Sequence, residues 1–496
     1  MTCSNRHDRI DPAGHAIGLL WLTLAIALIV SGCAAVGPDY TPIEPDGPPG
    51  WNADMAGGLR PVPADPDTLA SWWTIFDDPE LSRLEKWAAS GNLQVQIAQS
   101  RVREARALRG ISRSRLLPVV DATAAAANIR SSESGDAGQQ FEFYSAGFDA
   151  GWELDIFGGV RRSIEASQAD LEASRARLHD VMISLMAEVA LNYLDVRIFQ
   201  AQLAITRTNI DTQAETYHLN QSRHQAGIID ELAVQESLRI LESSRSQIPA
   251  IESDLMAAKH RIAVLLGQPP GTLNQALAEQ KAIPDLPASV AAGIPAETLR
   301  RRPDIRRAER AVAAQTARIG VATADLYPKF QLIGTIGIES IDGADLLNWS
   351  SRVWSIGPRA SWNLFDGGAI RHNIAVQNAR QEQALVQYRE AVLLALEEVE
   401  NALVAYAKQQ RRRDLLAKAA AAAQRAELLA RDKYRAGLVD FNNVLDAQRS
   451  LLLLQSELNL STGAATANLV RLYKSLGGGW QYASAIMADP SQEAVD

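Results

Sequence analysis

Cysteine is nearly absent from this 496-residue sequence; Cys3 and Cys33 are the only two. Beyond residue 33 a disulfide framework, a cysteine metal site and a cysteine nucleophile are therefore all excluded. Positive charge is not in excess either. The formal net charge is −9, whereas a nucleic-acid partner requires a concentrated basic surface, so no nucleic acid is expected. The two basic runs, Arg300-Arg301-Arg302 and Arg411-Arg412-Arg413, are read as solvated helical faces. Long hydrophobic runs are missing apart from Ala16 to Val30. At about 15 residues that run falls short of the roughly 20 that a spanning helix needs. Catalytic signatures are lacking too. No HExxH, GxSxG or Walker-type motif occurs, and the histidines are scattered, so neither an enzyme nor a metal site is expected.

What is present begins at the N-terminus. Arg6, His7 and Arg9 precede the apolar run, in the manner of a secretory signal peptide over 1–32. The run ends in Val30-Ser31-Gly32-Cys33, which resembles the lipobox of bacterial lipoproteins. That resemblance implies a diacylglycerol and an N-acyl chain on Cys33, with no other cofactor. Ala34, where an Asp would signal inner-membrane retention, favours the outer membrane. Residues 33–78 then form a lipid anchor and Pro/Gly-rich tether, extended from Val36 to Pro66.

The remainder is duplicated. Leu117-Pro118, Trp152-Glu153-Leu154, Ala226-Gly227-Ile228-Ile229-Asp230 and Leu266-Gly267 recur 210 positions later, as Tyr327-Pro328, Trp362-Asn363-Leu364, Ala436-Gly437-Leu438-Val439-Asp440 and Leu476-Gly477. Gly158-Gly159 matches Gly367-Gly368 at 209, a one-residue slip. The first repeat covers 79–267 and the second 296–478. A linker or equatorial segment, 268–295, separates them, and 479–496 is a tail.

Each repeat has the same order. A helix comes first, Pro79 to Leu116 or Ala296 to Leu326, with Leu84, Trp87, Ala88, Leu93 and Ile97 as the apolar stripe of the first. Two strands follow, Val119 to Arg130 with Phe141 to Ile156, then Lys329 to Ser340 with Arg352 to Phe365. In Phe141 to Ile156, Tyr144, Ala146, Phe148, Ala150, Trp152, Leu154 and Ile156 oppose Ser145, Gly147, Asp149, Gly151, Glu153 and Asp155. This two-residue period marks a sheet wet on one face. By itself the pattern also fits a soluble sheet. The clustered Asp149, Glu153 and Asp155 suit a watery lumen, and strands of roughly 10–15 residues are long enough to cross a membrane when tilted. Gly158, Gly159, Gly367 and Gly368 mark the strand-to-helix transitions. Next, neither proline nor an internal glycine interrupts Gly159 to Gln225 or Ala369 to Ala436. A helix of about 65 residues extends on the order of 100 Å, the dimension of a coiled-coil body. The chain turns at Gly227 and Gly437 and returns through Ile228 to Leu266 and Leu438 to Leu476. Four strands cannot close a barrel, and open edges are not tolerated in lipid, so several chains must share one.

Further stretches carry a family resemblance: Cys33 to Tyr40, Trp72-Trp73 with Phe76 to Leu81, Arg301-Arg302-Pro303-Asp304-Ile305, Ala395 to Asn401, Tyr434 to Asp440, Leu445 to Arg449, and Tyr473 to Trp480. Together they resemble the TolC-type outer-membrane factors, in the NodT/OprM-like lipoprotein branch. The resemblance implies an α+β membrane protein, mostly long coiled-coil hairpins plus four transmembrane β-strands per chain. In a homotrimer these make a shared 12-stranded barrel and a periplasmic helical tunnel in the outer-membrane lipid. Its partners would be a periplasmic adaptor and an inner-membrane pump of RND type, and its function passive export of drugs or other toxic compounds. A lipid-anchored periplasmic adaptor or structural coiled-coil protein is the alternative. The resemblance also places Asp446 in a carboxylate ring at the periplasmic aperture, with Asn443 where some relatives carry a second Asp. Gly227, Gly437 and Tyr434 fall at the tip turns where an adaptor docks. Relatives that lock the tip with a tyrosine, an arginine and an aspartate have Tyr434, Val439 and Ala233 as counterparts here, so those links are doubtful.

Overall fold

The computed structural model describes residues 35–132, 134 and 138–481. Cys33, the signal segment 1–32 and most of the tail lie outside the described residues. Two compact units divide the chain: Met1–Pro42, Arg103–Ala173 and Glu309–Gln387 in one, Ile43–Val102, Ser174–Ala308 and Tyr388–Asp496 in the other.

In chain order the strands are β1 (Leu59–Arg60), β2 (Val119–Arg130), β3 (Gln140–Leu154), β4 (Val290–Ala291), β5 (Lys329–Ser340) and β6 (Arg352–Ser361). The helices are α1 (Pro66–Ala70), α2 (Pro79–Gly91), α3 (Leu93–Ser114), α4 (Gly159–Gln225), α5 (Glu231–Arg245), α6 (Gln247–Leu265), α7 (Pro295–Arg301), α8 (Pro303–Ala324), α9 (Ala369–Arg435) and α10 (Phe441–Ser475). Among the described residues no helix is long and apolar enough to cross a membrane.

In the first unit, β2, β3, β5 and β6 form one antiparallel sheet in that order. The register sorts the side chains. Ala122, Phe148, Ile336 and Trp354 lie side by side on one face, and Asp121, Asp149, Thr335 and Ser355 on the other. Thr123 donates to Asp149, and the Thr335 and Ser355 hydroxyls meet at 2.7 Å. Gly147 faces Gly337 across the β3–β5 pair, where a Cβ on either would lie 2.7 Å from a backbone oxygen. The duplication is visible in the indole bonds: Trp152 donates to the Leu116 carbonyl at 2.9 Å, and Trp362 to the Leu326 carbonyl at 3.0 Å.

The strand-to-helix transitions modify two expectations. Asp155 does not face the sheet's wet side; it caps α4, accepting from the Val160 and Arg161 amides at 2.9 Å each. Asp366 caps α9 likewise, from Gly368 and Ile370, and these amides hold its carboxyl below the usual range. The left-handed glycine immediately before each long helix is Gly158 (φ +79°) or Gly368 (φ +94°), which lie 210 apart. The slip inferred from pairing one Gly-Gly with the other is thus not in the helix starts. The second repeat has an extra left-handed glycine, Gly367, and its acidic cap moves one residue closer to the helix.

The segment after Cys33 is fastened rather than hanging free. Buried Arg162 on α4 donates to the Ala35, Val36 and Gly37 carbonyls and pairs with Asp39 at 2.6 Å. A Cβ on Gly37 would lie 2.5 Å from the Gly320 Cα. In the second unit, Trp51 donates to the Gly293 carbonyl, Asn52 and Ala53 donate to Glu400, and β1 pairs with β4 in parallel. Prolines and glycines set an extended path here, and side chains elsewhere bind its backbone.

The core of the second unit gathers Trp72, Trp73, Phe76, Leu81, Leu84, Met186, Tyr193, Leu403, Tyr406 and Tyr473. Trp72 stacks on Tyr473 at 5.9 Å. The helix expected from Pro79 to Leu116 is broken at Asn92. The Asn92 side chain caps α3 through the Gln94 and Val95 amides and donates to the Leu265 carbonyl at 2.7 Å. Helical phase is lost there, so Leu93 and Ile97 of the expected stripe are exposed. The second helix breaks before Pro303. Arg302 is not solvated as a basic run would be: it is buried and donates to the Ser475 carbonyl, Asp304 and Glu398. The first return run also breaks, between Arg245 and Gln247, because Pro249 cannot donate to the Arg245 carbonyl.

Glu85 on α2 is fully buried, with both carboxylate oxygens unpartnered, and burial holds its carboxyl well above the usual range. The folded state then binds this proton more tightly than the unfolded chain. The stability it contributes is fully present below the unfolded value near 4.5 and is lost as pH rises through the folded value. The thermal midpoint in detergent should therefore fall as pH is raised above about 4.5, and Glu85→Gln should flatten that fall. Equal pH slopes in both proteins would contradict this.

Candidate functional site at the helical tips

The chain reverses at two turns built alike. α4 ends where the Gly227 amide bonds to the His224 carbonyl and the Ile228 amide to the Arg223 carbonyl; α9 ends with Gly437 on Tyr434 and Leu438 on Lys433. Both glycines have positive φ, +70° and +75°. This double-bonded end needs a left-handed residue, which explains glycine at both turns. Asp230 then caps α5 by accepting from the Ala233 amide, while Asp440 occupies the N-cap of α10. Gly227 and Gly437 are exposed, as are Ile228, Leu232 and Leu438.

Tyr434 is not an exposed docking residue. It is buried, and its hydroxyl donates to the Asn220 side-chain oxygen at 2.7 Å. The Arg223 guanidinium lies 4.5 Å above its ring and donates to the Tyr434 and Arg435 carbonyls at 3.1 and 3.0 Å. Those carbonyls end α9, where a cation also complements the helix dipole. Around the ring, Ile240, Phe441, Val444 and Leu445 form an apolar cluster flanked by Ala233 and Val439. The two positions that depart from the polar lock therefore supply apolar contact around Tyr434. Glu215 on α4 reaches Arg431 and Arg435 on α9 at 4.0 and 3.9 Å.

Behind the turns the buried stripe of α4 is polar. Thr206, Asn209, Gln213, Thr216 and Asn220 are all buried at alternating three- and four-residue spacing. Asn209 bonds to Gln455 at 2.9 Å and Thr216 to Gln448 at 3.0 Å, both on α10. The Thr206 hydroxyl and one Gln213 oxygen are buried without a partner. Each such orphan costs about 1–3 kcal/mol, so this seam holds more weakly than an apolar one.

Asp446 and Asn443 are exposed on α10, one turn apart. Asp446 has Arg449 at 4.0 Å, and the same pairing occurs 210 positions earlier between Glu236 and Arg239, at 2.5 Å. Asn220, Arg223 and Glu236 escaped the sequence reading. Glu236 was accessible from the repeat offset, and Asn220 from the polar spacing of α4.

The sheet of the first unit is apolar on one face, and the two helical hairpins of the second bury polar side chains towards their turns. The chain belongs to the family described as Outer membrane efflux protein, whose model matches residues 86–268 and 294–478. It is similar to Nodulation protein T of Rhizobium leguminosarum bv. trifolii, 32% identical over 88% of this chain and 92% of the relative. It is 31% identical to the pyoverdine export outer membrane protein OpmQ of Pseudomonas aeruginosa, over 91% and 96%. A solved structure of the outer-membrane channel OprN matches with a TM-score of 0.84 at 36% identity, over 90% of this chain and all of that one. The protein is an efflux channel of the outer membrane with a large periplasmic part, and its family is one of channels rather than enzymes or adaptors.

Tyr434→Phe should leave buried Asn220 without its donor, weaken the tip by about 1–3 kcal/mol and raise the open fraction in planar-bilayer recordings. Val439→Asp, which places a charge in the apolar cluster, should do so more strongly. Wild-type conductance in both variants would show that these contacts do not hold the tip.

Proposed function

We propose that the working form is a homotrimer whose sheets close into one 12-stranded barrel above a periplasmic helical tunnel. The carrying observation is the pair of sheet edges. β2 and β6 each have a strand on one side only, and backbone groups left open in hydrocarbon cost several kcal/mol each. Exposed apolar residues along α9, among them Val386, Leu393, Val404, Leu415 and Leu429, are available to neighbouring copies. Lipid on Cys33 would tether the chain just before the segment that Arg162 grips.

In this assembly the tips meet a periplasmic adaptor, through exposed Ile228, Leu232 and Leu438 beside Gly227 and Gly437, and thereby an inner-membrane pump of RND type. The pump supplies the energy and the channel conducts small molecules passively. Three copies of Asp446, with Asn443 one turn before, ring the aperture. The Arg449 contact is exposed and long, worth little in water, so it leaves the carboxylate able to draw cations.

The trimer should resist SDS and lose that resistance on heating; a monomer in mild detergent would overturn the shared barrel. Asp446→Ala should lower cation-over-anion permeability in planar-bilayer recordings and Asn443→Asp should raise it. Unchanged selectivity in both would sink the aperture ring.

A further inference from the structure

The apolar face of the sheet has one feature that conduction does not use. At the end of the strands away from α4 and α9, the row Ala124, Ala146, Ile338 and Arg352 lies above the row Ala122, Phe148, Ile336 and Trp354. The small side chains of Ala146 in the upper row and Ala122 in the lower leave a cleft of about 950 Å³, bordered by Phe148, Ile336, Ile338 and Trp354. Trp349, from the short turn Trp349–Ser351 before β6, lines it beside Arg352. Arg352 is thus a cation on the face that must meet hydrocarbon, where an unpaired charge is costly.

Among the described residues Arg352 forms no ion pair; its guanidinium lies over the Trp349 ring. Carboxylates on β3 and in the β5–β6 turn carry hydrogen bonds of their own, Asp342 from the Ala344 amide among them. Glu142 accepts from the Tyr144 hydroxyl at 2.7 Å, and Asp345 from the Asn348 amide at 2.8 Å. A guanidinium beside an indole, with no hydrogen bond or ion pair among the described residues, offers its N–H donors to a phosphate. Beneath it the cleft is mostly apolar, as an acyl chain requires.

We infer that Arg352 and Trp349, above the Ala122–Ala146 cleft, form a binding site for a phosphorylated, acylated lipid of the outer leaflet. The phosphate pairs with Arg352 and one acyl chain lies between Phe148 and Trp354. This rests on the outer-membrane placement of the sheet and not on the tip, so the aperture can fail its own tests without touching it.

The test uses the full-length protein in nanodiscs, with lipid A carrying two phosphates, the same lipid dephosphorylated, and phosphatidylglycerol as probes, read by native mass spectrometry and competition. The wild type should retain phosphorylated lipid A through delipidating washes in preference to the other two. Arg352→Gln should weaken retention about tenfold, the size of one charge-assisted bond, and Arg352→Lys less. Ala146→Trp should fill the cleft, keep the cation and also reduce retention. Thermal midpoint and gel mobility in the absence of added lipid identify variants that fold normally. Equal retention by the wild type, Arg352→Gln and Ala146→Trp, or equal retention of phosphorylated and dephosphorylated lipid A, overturns the site. Preference for phosphatidylglycerol overturns the outer-leaflet assignment.

Discussion

A strand inside hydrocarbon cannot leave its backbone N–H and C=O groups unpaired. A helix meets that demand alone, whereas a sheet meets it only by closing on itself. This chain contributes four strands, of which β3 and β5 are paired on both sides and β2 and β6 on one. The rest of the unit follows from building those four by duplication. Each strand pair is entered below a proline and tied down by an indole bonded to the carbonyl at the end of the preceding helical segment. Each pair leaves through an aspartate cap and a left-handed glycine. These devices recur because both copies must convert a pleated strand into a helix within a few residues.

The second unit changes character along its helices. Around Trp72, Tyr193, Tyr406 and Tyr473 the interior is apolar and aromatic, and burial there stabilises at roughly 25 cal/mol per Å². Towards the turns the same helices bury Asn, Gln and Thr instead. Amide ladders fix register well and stabilise little, since each bond replaces one to water. The Tyr434 cluster then holds a seam that is otherwise easy to part.

Regular features were legible in the sequence. β2 and β5 have the bounds that their composition suggested, and α4 runs from Gly159 to Gln225 without interruption because neither proline nor an internal glycine breaks it. What escaped depended on contacts distant in sequence. Asn92 ends a helix because its side chain reaches both the next turn and the Leu265 carbonyl, although Gly91-Asn92 was a visible local cue. Arg302 reads as one of three arginines until Ser475 and Glu398 close around it. Asp155 matches the alternation of a strand it does not belong to. At the tip, Val439 and Ala233 signalled a missing polar lock, but its replacement was not visible, since apolar packing between hairpins has no local motif.

The two repeats differ in their return helices. Pro249 breaks the first return helix, whereas Asn459, 210 residues later, sits within unbroken α10 and donates to the Ile198 carbonyl and to Gln202. The break opens a cleft of about 590 Å³ between α4, the α5–α6 junction and α10, into which the repeated arginines Arg239 and Arg449 both project. Had both return helices kept the proline, α10 would have lost the Asn459 amide bonds that tie it to α4. Duplication supplied two hairpins of like length, and one proline distinguishes their return helices. The first return helix is thus broken between Arg245 and Gln247, while α10, which carries Asp446, runs unbroken from Phe441 to Ser475.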